Sequence, residues 1–223
     1  MNRNQAGFLL EPEAIQLLQT YGIPYPNHRV AHSPQEAVET ADRLGYPVVL
    51  KVVSYDVVHK SDMGGVVLGL EDARGVRDAY DQIQRAVGDQ VAGAEIQGML
   101  VCEQAPSGLE VIVGGLRDAL FGPTVMFGLG GVFVEVLKDV SFRVAPLEHR
   151  DAEEMIREVQ GYPLLAGVRG RTACDVSALV DLLGNVAHLM MDRPDISELD
   201  LNPVRVYGNG LLVLDVRVSV GGA

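Results

Sequence analysis

Two runs of alternating apolar residues, SELDLNPVRV at 197–206 and LLVLDVRV at 211–218, flank Tyr207-Gly208-Asn209-Gly210. A chain with this pattern closes as an antiparallel hairpin. With Gly208-Asn209 as a two-residue turn, Asn202 stands directly opposite Asp215, their Cβ atoms roughly 4.5–5.5 Å apart. Moving the turn to Asn209-Gly210 slides the register by two, which makes the pair diagonal but leaves both on one face, because strand side chains alternate. Only a three-residue loop separates them. Asp200, two residues before Asn202, shares their face. Oxygen donors grouped in this way suit a hard cation such as Mg²⁺, which takes few protein ligands and completes its shell with phosphate and water. From pattern alone a plainer reading stays open, in which Asp200, Asn202 and Pro203 end a strand and Asp215 is solvated.

The rest of the chain alternates helical and strand patterns. A helix is expected over 11–21, with Leu10, Ala14, Leu17, Leu18 and Tyr21 on one face, Pro12 in its first turn and Gly22 after its end. Ser33, Pro34 and Glu36 form a capping-box start for a second helix that stops at Gly45. The strand VVLKVV (48–53), the polar loop SYDVVHKSDMGG (54–65) and the strand VVLGL (66–70) follow, and then a helix capped by Asp72 that runs to Gly88. From about Gly98 the texture turns β-rich, with a hairpin expected to turn at Arg117-Asp118 and a strand continuing through GLGGVFVEVL (128–137). Helical patterns return over 150–160 and 177–191. The reading is an α/β (α+β) chain: residues 1–22 an N-terminal helix on the large lobe, 23–97 a small lobe and 98–223 a large lobe, a shape that leaves a ligand cleft.

Charge limits what such a site binds. The 18 basic and 30 acidic side chains give a net charge of −12 with no local basic run, which disfavours nucleic acid and anionic membranes. A polyphosphate must therefore be held by a few placed cations, backbone N–H groups and a divalent metal. No apolar run reaches bilayer length, and the opening residues lack the basic and apolar regions of a signal peptide, so a cytoplasmic location is expected. Cys102 and Cys174 lack metal-ligand spacing and read as buried free thiols.

Within the lobes, Lys51 sits in VVLKVV, where an ammonium needs an anionic partner such as phosphate unless it lies on the solvent face of an edge strand. His59 shares its loop with Lys60, Ser61, Asp62, Gly64 and Gly65. Glycines there let N–H groups curve around an anion, and a histidine can accept a phosphoryl group or stand as an ordinary exposed loop residue. Glu103 and Glu110 are weaker candidates for adenine or ribose contacts. GLGG at 128–131 lacks the βαβ context of a dinucleotide fingerprint. Arg169 and Arg171 flank Gly170, where forked hydrogen bonds to phosphate or carboxylate and an ordinary surface turn are equally open readings.

The ordered series KVVS, VVHKSDMGGV, MLVCEQAPSGLEVIVGG, FGPTVMFGLGGVFVEVLKDVSFRVAP and ELDLNPVRV…LLVLD resembles the ATP-grasp β subunit of ADP-forming acyl-CoA synthetases of the acetate–CoA ligase type. The resemblance spans nearly the whole chain. It implies the ATP-grasp fold with the nucleotide in the cleft between two lobes. The implied activity is a ligase that interconverts acyl-CoA, ADP and phosphate with carboxylate, CoA and ATP through phosphohistidine. The implied partner is a separate CoA-binding α subunit in an α2β2 hetero-oligomer, and the cofactors are Mg²⁺ and ATP/ADP. Residue by residue, Lys51 matches the ATP-phosphate lysine, Gly64 and Gly65 a phosphate-covering loop, Glu103 the adenine hinge and Glu110 a ribose contact. Asn202 and Asp215 match the Mg²⁺ ligands with Asp200 in the adjoining acidic position, and His59 matches the phosphoryl carrier. The hinge reads CEQ where the pattern more often has QEM, so its side-chain contacts depart from the family while backbone contacts do not. Arg169, Arg171 and Glu135 receive no role. Two other readings remain at this point: an ATP-grasp ligase that forms an acylphosphate directly, and a non-catalytic ATP-sensing or scaffold subunit.

Overall fold

Ser33, Asp72 and Asp175 each begin a helix for the same reason: a short oxygen side chain in non-helical backbone accepts an N–H that the first helical turn leaves without a partner. The acceptor distances, from Glu36, Gly75 and Ala178 N–H, are 3.1, 2.7 and 3.0 Å. The computed structural model describes residues 7–57, 59–131, 138–168, 170 and 172–221. Its helices are α1 Glu11–Thr20, α2 Pro34–Leu44, α3 Ala73–Gln90, α4 His149–Glu158, α5 Tyr162–Leu165 and α6 Val176–Asp192. Its strands are β1 His28–Ala31, β2 Val48–Val53, β3 Val66–Leu70, β4 Gly98–Glu103, β5 Leu109–Asp118, β6 Gly122–Leu129, β7 Val140–Val144, β8 Ile196–Val206, β9 Leu211–Val213 and β10 Val216–Val220.

The chain divides into two units, Pro26–Pro106 and Met1–Tyr25 with Ser107–Ala223. The first is an antiparallel sheet in the order β1-β4-β2-β3. Strand parity sends Val48, Leu50, Val52, Met99 and Val101 into a core with Ala37, Ala41, Val76, Tyr80 and Ile83 from α2 and α3. The division falls after Pro106 rather than after residue 97, because β4 supplies the middle of this sheet: Lys51 of β2 pairs with Leu100, and β1 pairs with β4 on the other side. Strand β1 escaped the sequence reading because HRVA is short and half polar.

The second unit carries the sheet β10-β8-β5-β6-β7, with β9 also paired to β8. At its far side the N-terminal segment adds to β10 through Leu9 N–H donating to Val218 O at 2.9 Å. The apolar stripes of α1 (Ala14, Ile15, Leu18) and α6 (Leu179, Leu183, Val186, Met190) are fully or almost fully buried. The β5–β6 hairpin turns at 119–121, not at Arg117-Asp118: Asp118 pairs with Gly122. Arg117 stays in the strand because its guanidinium donates to the carbonyls of Ile196 and Arg193, both at 3.1 Å, and of Met190. Asp118 instead caps the turn, accepting from Leu120 and Phe121 N–H at 2.8 and 2.9 Å. Of the strand expected over 128–137, residues 128–129 end β6; residues 132–137 lie outside the described residues, as do Arg169 and Arg171.

Candidate functional site

The closing hairpin holds the oxygen donors in the register that follows from a Gly208-Asn209 turn. Tyr207 N–H donates to Gly210 O at 3.0 Å, and Val206, Arg205 and Val204 pair with Leu211, Leu212 and Val213. The same pairing resumes in β10, where Leu201 faces Val216 and Asp200 faces Arg217. Between the two strands, Asn202 N–H donates to the Asp215 carbonyl at 3.2 Å, so Asn202 and Asp215 stand opposite one another. Leu199 and Leu201 point into the core, which leaves Asp200 and Asn202 on the other face, and Asp215, opposite Asn202 and next to buried Val216, shares it. The alternation changes phase at this pair, so that Val204 and Val213 beyond it are again buried. Burial is the main cause raising the Asp200 carboxyl above its ordinary range; Arg217 opposes it, while the charges of Asp215 and Glu198 add to it.

Among the described residues no group of three or more His, Cys, Asp and Glu side chains is arranged to hold a metal. A cation here would rest on two carboxylates and one amide oxygen. That hard, incomplete donor set fits Mg²⁺ with phosphate and water filling the shell, and does not fit a closed zinc site.

The turn of the hairpin is tied down by a residue the sequence reading missed. Asp175, the N-cap of α6, also accepts from Gly210 N–H at 2.8 Å, and its own N–H donates to Tyr207 O at 2.8 Å. These backbone donors, Gly210 first and then Ala178, hold the Asp175 carboxyl below its usual range. A depressed folded value means that the stabilisation is complete above the unfolded carboxylate value near pH 4 and is lost as pH falls through the folded one. Thermal melts across that window should therefore fall more steeply for the native chain than for Asp175→Asn, which at neutral pH should cost about 1 kcal/mol. Parallel curves for the two chains would contradict this.

In the other unit, Lys51 lies on an interior strand, between β3 and β4, and is 7% exposed. The edge-strand reading is thereby removed. The loop that follows is pinned beside it, since Val52 N–H donates to Gly65 O at 2.8 Å. Gly64 N–H donates to Ser61 O at 3.2 Å and Gly65 N–H to Lys60 O at 2.7 Å. Both amides expected to cradle an anion are thus engaged inside the loop. What the glycines observably supply is room: Gly64 has φ +65°, and a Cβ on Gly65 would lie 2.6 Å from Val52 Cγ1 and 3.0 Å from the Lys60 carbonyl. His59 is exposed at the start of this turn, its carbonyl accepting from Met63 N–H at 3.3 Å.

Glu103 ends β4 exposed, with its carboxylate accepting from Asn27 Nδ2 at 2.9 Å. The next residue, Gln104, accepts from Gly69 N–H at 2.6 Å. Glu110, on β5, is half-buried and receives the Arg205 guanidinium at 2.5 Å across its β8 partner strand. Arg205 was also missed, since pairing it with Glu110 requires knowing that β5 and β8 are neighbours. Gly130 of GLGG approaches the same strand, donating its N–H to Glu110 O at 2.9 Å, and a Cβ there would meet that oxygen at 3.0 Å. Both cysteines are free thiols; Cys102 is buried, while Cys174 is half-buried beside a cavity of about 480 Å³, its thiol pushed up by burial.

Comparison with known proteins gives this geometry its relatives. The family model described as ATP-grasp domain matches residues 1–220. The β subunit of acetate–CoA ligase (ADP-forming) I from Pyrococcus furiosus is 46% identical over 210 residues, covering 94% of this chain and 90% of that one. Acetyl-coenzyme A synthetase 1 of Ca. Korarchaeum cryptofilum, solved with coenzyme A, Ca-AMPCP and HgCl+, superposes with a TM-score of 0.96 at 51% identity, covering 98% of this chain and 95% of that one. A second structure of that synthetase holds coenzyme A and Mg-AMPPCP with its phosphohistidine segment pointing towards the nucleotide binding site; the TM-score is 0.84 at 47% identity, with coverage of 96% and 93%.

Proposed function

The chain belongs to the ATP-grasp domain family, among the β subunits of ADP-forming acetate–CoA ligases, and from that premise we propose that it transfers phosphoryl between a phosphohistidine and ADP/ATP. The overall reaction is acyl-CoA + ADP + Pi = carboxylate + CoA + ATP, run by a ligase whose CoA-binding α subunit is a separate partner. The observation that carries the reading is the hairpin register that sets Asn202 against Asp215 beside Asp200.

In this reading Asn202 and Asp215, with Asp200 adjoining, hold Mg²⁺. When bound, the cation neutralises charge on the nucleotide phosphates. Lys51 binds phosphate oxygens as a fixed point charge from its interior strand. Glu103 with its backbone neighbours contacts adenine, and Glu110, oriented by Arg205, accepts from ribose hydroxyls. Gly64 and Gly65 shape the loop that carries His59 and bring its backbone near phosphate.

His59 is the carrier. A ring nitrogen attacks the phosphorus of the partner's phosphohistidine, and the nitrogen–phosphorus bond on the partner breaks as the new one forms. A terminal oxygen of ADP then attacks the same phosphorus and releases His59. Little covalent work remains for the protein, so orientation and charge neutralisation dominate the barrier. The proposed assembly is an α2β2 hetero-oligomer in the cytoplasm; among the described residues no helix is long and apolar enough to cross a membrane.

Reconstitution tests the proposal. Mixed with a CoA-binding partner polypeptide, the chain should form ATP from acetyl-CoA, ADP and phosphate, pass through acid-labile phosphate on His59, and elute at the mass of two copies of each chain. ATP synthesis without phosphate ever appearing on His59 would instead favour a directly formed acylphosphate. Nucleotide binding with no turnover in the complete mixture would favour a sensing subunit.

A further inference from the structure

Strand β8 carries a proline between two paired strands, and this leaves a gap next to the candidate metal ligand Asp215. In an antiparallel ladder a hydrogen-bonded pair exchanges two N–H···O=C bonds. Leu214 N–H donates to Pro203 O at 2.9 Å, but Pro203 has no N–H with which to return the bond to the Leu214 carbonyl. The Tyr25 hydroxyl reaches that carbonyl at 2.9 Å. The same hydroxyl lies 2.6 Å from Glu11 Oε1, so its one hydrogen is shared between two acceptors.

Glu11 is only 4% exposed and opens α1, where the helix N-terminus favours a carboxylate and the fully buried Ala14, Ile15 and Leu18 hold the helix in place. Beside it, Val213 N–H donates to Pro24 O at 3.0 Å, so the segment bearing Tyr25 runs along the interruption between β9 and β10.

We infer that Tyr25, braced by Glu11, is a positioning residue for Asp215. The peptide between Leu214 and Asp215 is a rigid plane, so fixing the Leu214 carbonyl fixes the Asp215 N–H and the direction of its Cα. The following carbonyl, that of Asp215 itself, is fixed by Asn202 N–H. The Asp215 side chain is therefore held from both sides of its backbone, once from the sheet and once from the N-terminal segment. This rests on Asp215 as a Mg²⁺ ligand and adds a residue that no metal-ligand pattern contains.

The test is calorimetric titration of the full chain with a non-hydrolysable ATP analogue across a series of Mg²⁺ concentrations, together with thermal melts. Tyr25→Phe keeps the ring and removes the hydroxyl. Its Mg²⁺ midpoint should rise roughly ten-fold, as expected when a group supporting a metal ligand is lost, with analogue binding in EDTA unchanged. Glu11→Gln should move the midpoint in the same direction by a smaller factor, and it decides the matter should Tyr25→Phe fail to fold. A lower melting temperature with an unmoved midpoint would mean that Tyr25 only supports the fold, and would overturn the inference. Asp215→Asn is the control: it should abolish the Mg²⁺ enhancement. If it does so while neither Tyr25→Phe nor Glu11→Gln shifts the midpoint, the positioning role alone falls. If Asp215→Asn leaves the enhancement intact, the metal-site reading falls as well.

Discussion

Replacing His59 by alanine is expected to abolish ATP formation from acyl-CoA in the assembled enzyme, by at least about a thousand-fold, since no side chain then carries the phosphoryl group. Nucleotide binding should be almost unchanged. The structural setting makes that separation sharp. His59 is exposed and packs into neither core, so its loss opens no cavity, and the loop bonds that shape the turn use the His59 carbonyl, which alanine retains. Calorimetry should thus report near-native affinity for Mg-ATP while the coupled assay reads background and labelled phosphate is absent from the β chain. Full turnover in His59→Ala would end the carrier role.

The second large effect is expected at Lys51. Substitution by methionine, similar in length and volume, keeps the packing of an interior strand at a position that is 7% exposed, while removing the ammonium. The chain should stay folded and lose about 10²- to 10³-fold in kcat, the usual scale for removing one preorganised charge from a reacting phosphoryl group. A variant that melts like the native protein and turns over within about three-fold of it would show that Lys51 is a packing residue with no part in phosphate binding. The burial of Lys51 is what makes this test informative, because a surface lysine could be lost with little consequence.

What was legible in advance was local. With any two-residue turn, YGNG and the alternation on either side place Asn202 and Asp215 on one face without knowledge of anything else in the chain, and the structure takes the Gly208-Asn209 alternative that sets them opposite one another. The helix starts at Ser33 and Asp72 are legible for the same reason, a cap and the N–H that donates to it lying three residues apart. What stayed hidden depends on distant partners. The interior place of Lys51 follows from β4 lining up beside β2, some fifty residues later in the chain, and the same pairing moves the unit boundary to Pro106. Arg117 looks like a turn residue until the carbonyls at 190, 193 and 196 are brought under its guanidinium. The pairing of Glu110 with Arg205 spans 95 positions. The Gly64-Gly65 pair misled in a different way: the dipeptide suggested amides open to an anion, whereas the close approach of Val52 and Lys60 accounts for the missing side chain and the loop's own carbonyls take the amides.

Pro203 has one more consequence, for how the chain avoids an error as it folds. A two-residue slip of the hairpin would keep the alternation within each half, but it would set Asp215 against buried Val204, or Asn202 against buried Val213. The missing donor at Pro203 makes the slip costly. In the observed register the carbonyl left without a ladder bond is that of Leu214, where the Tyr25 hydroxyl waits. In a register shifted by two a different carbonyl would face the proline, while the Tyr25 segment, tied to the strand through Val213 N–H and Pro24 O, would still be seated at Leu214; an acceptor left unmade costs about 1–3 kcal/mol where it is buried. The proline thus acts as a checksum on strand alignment: the pairing that sets Asn202 against Asp215 is the one in which the Tyr25 hydroxyl fills its gap.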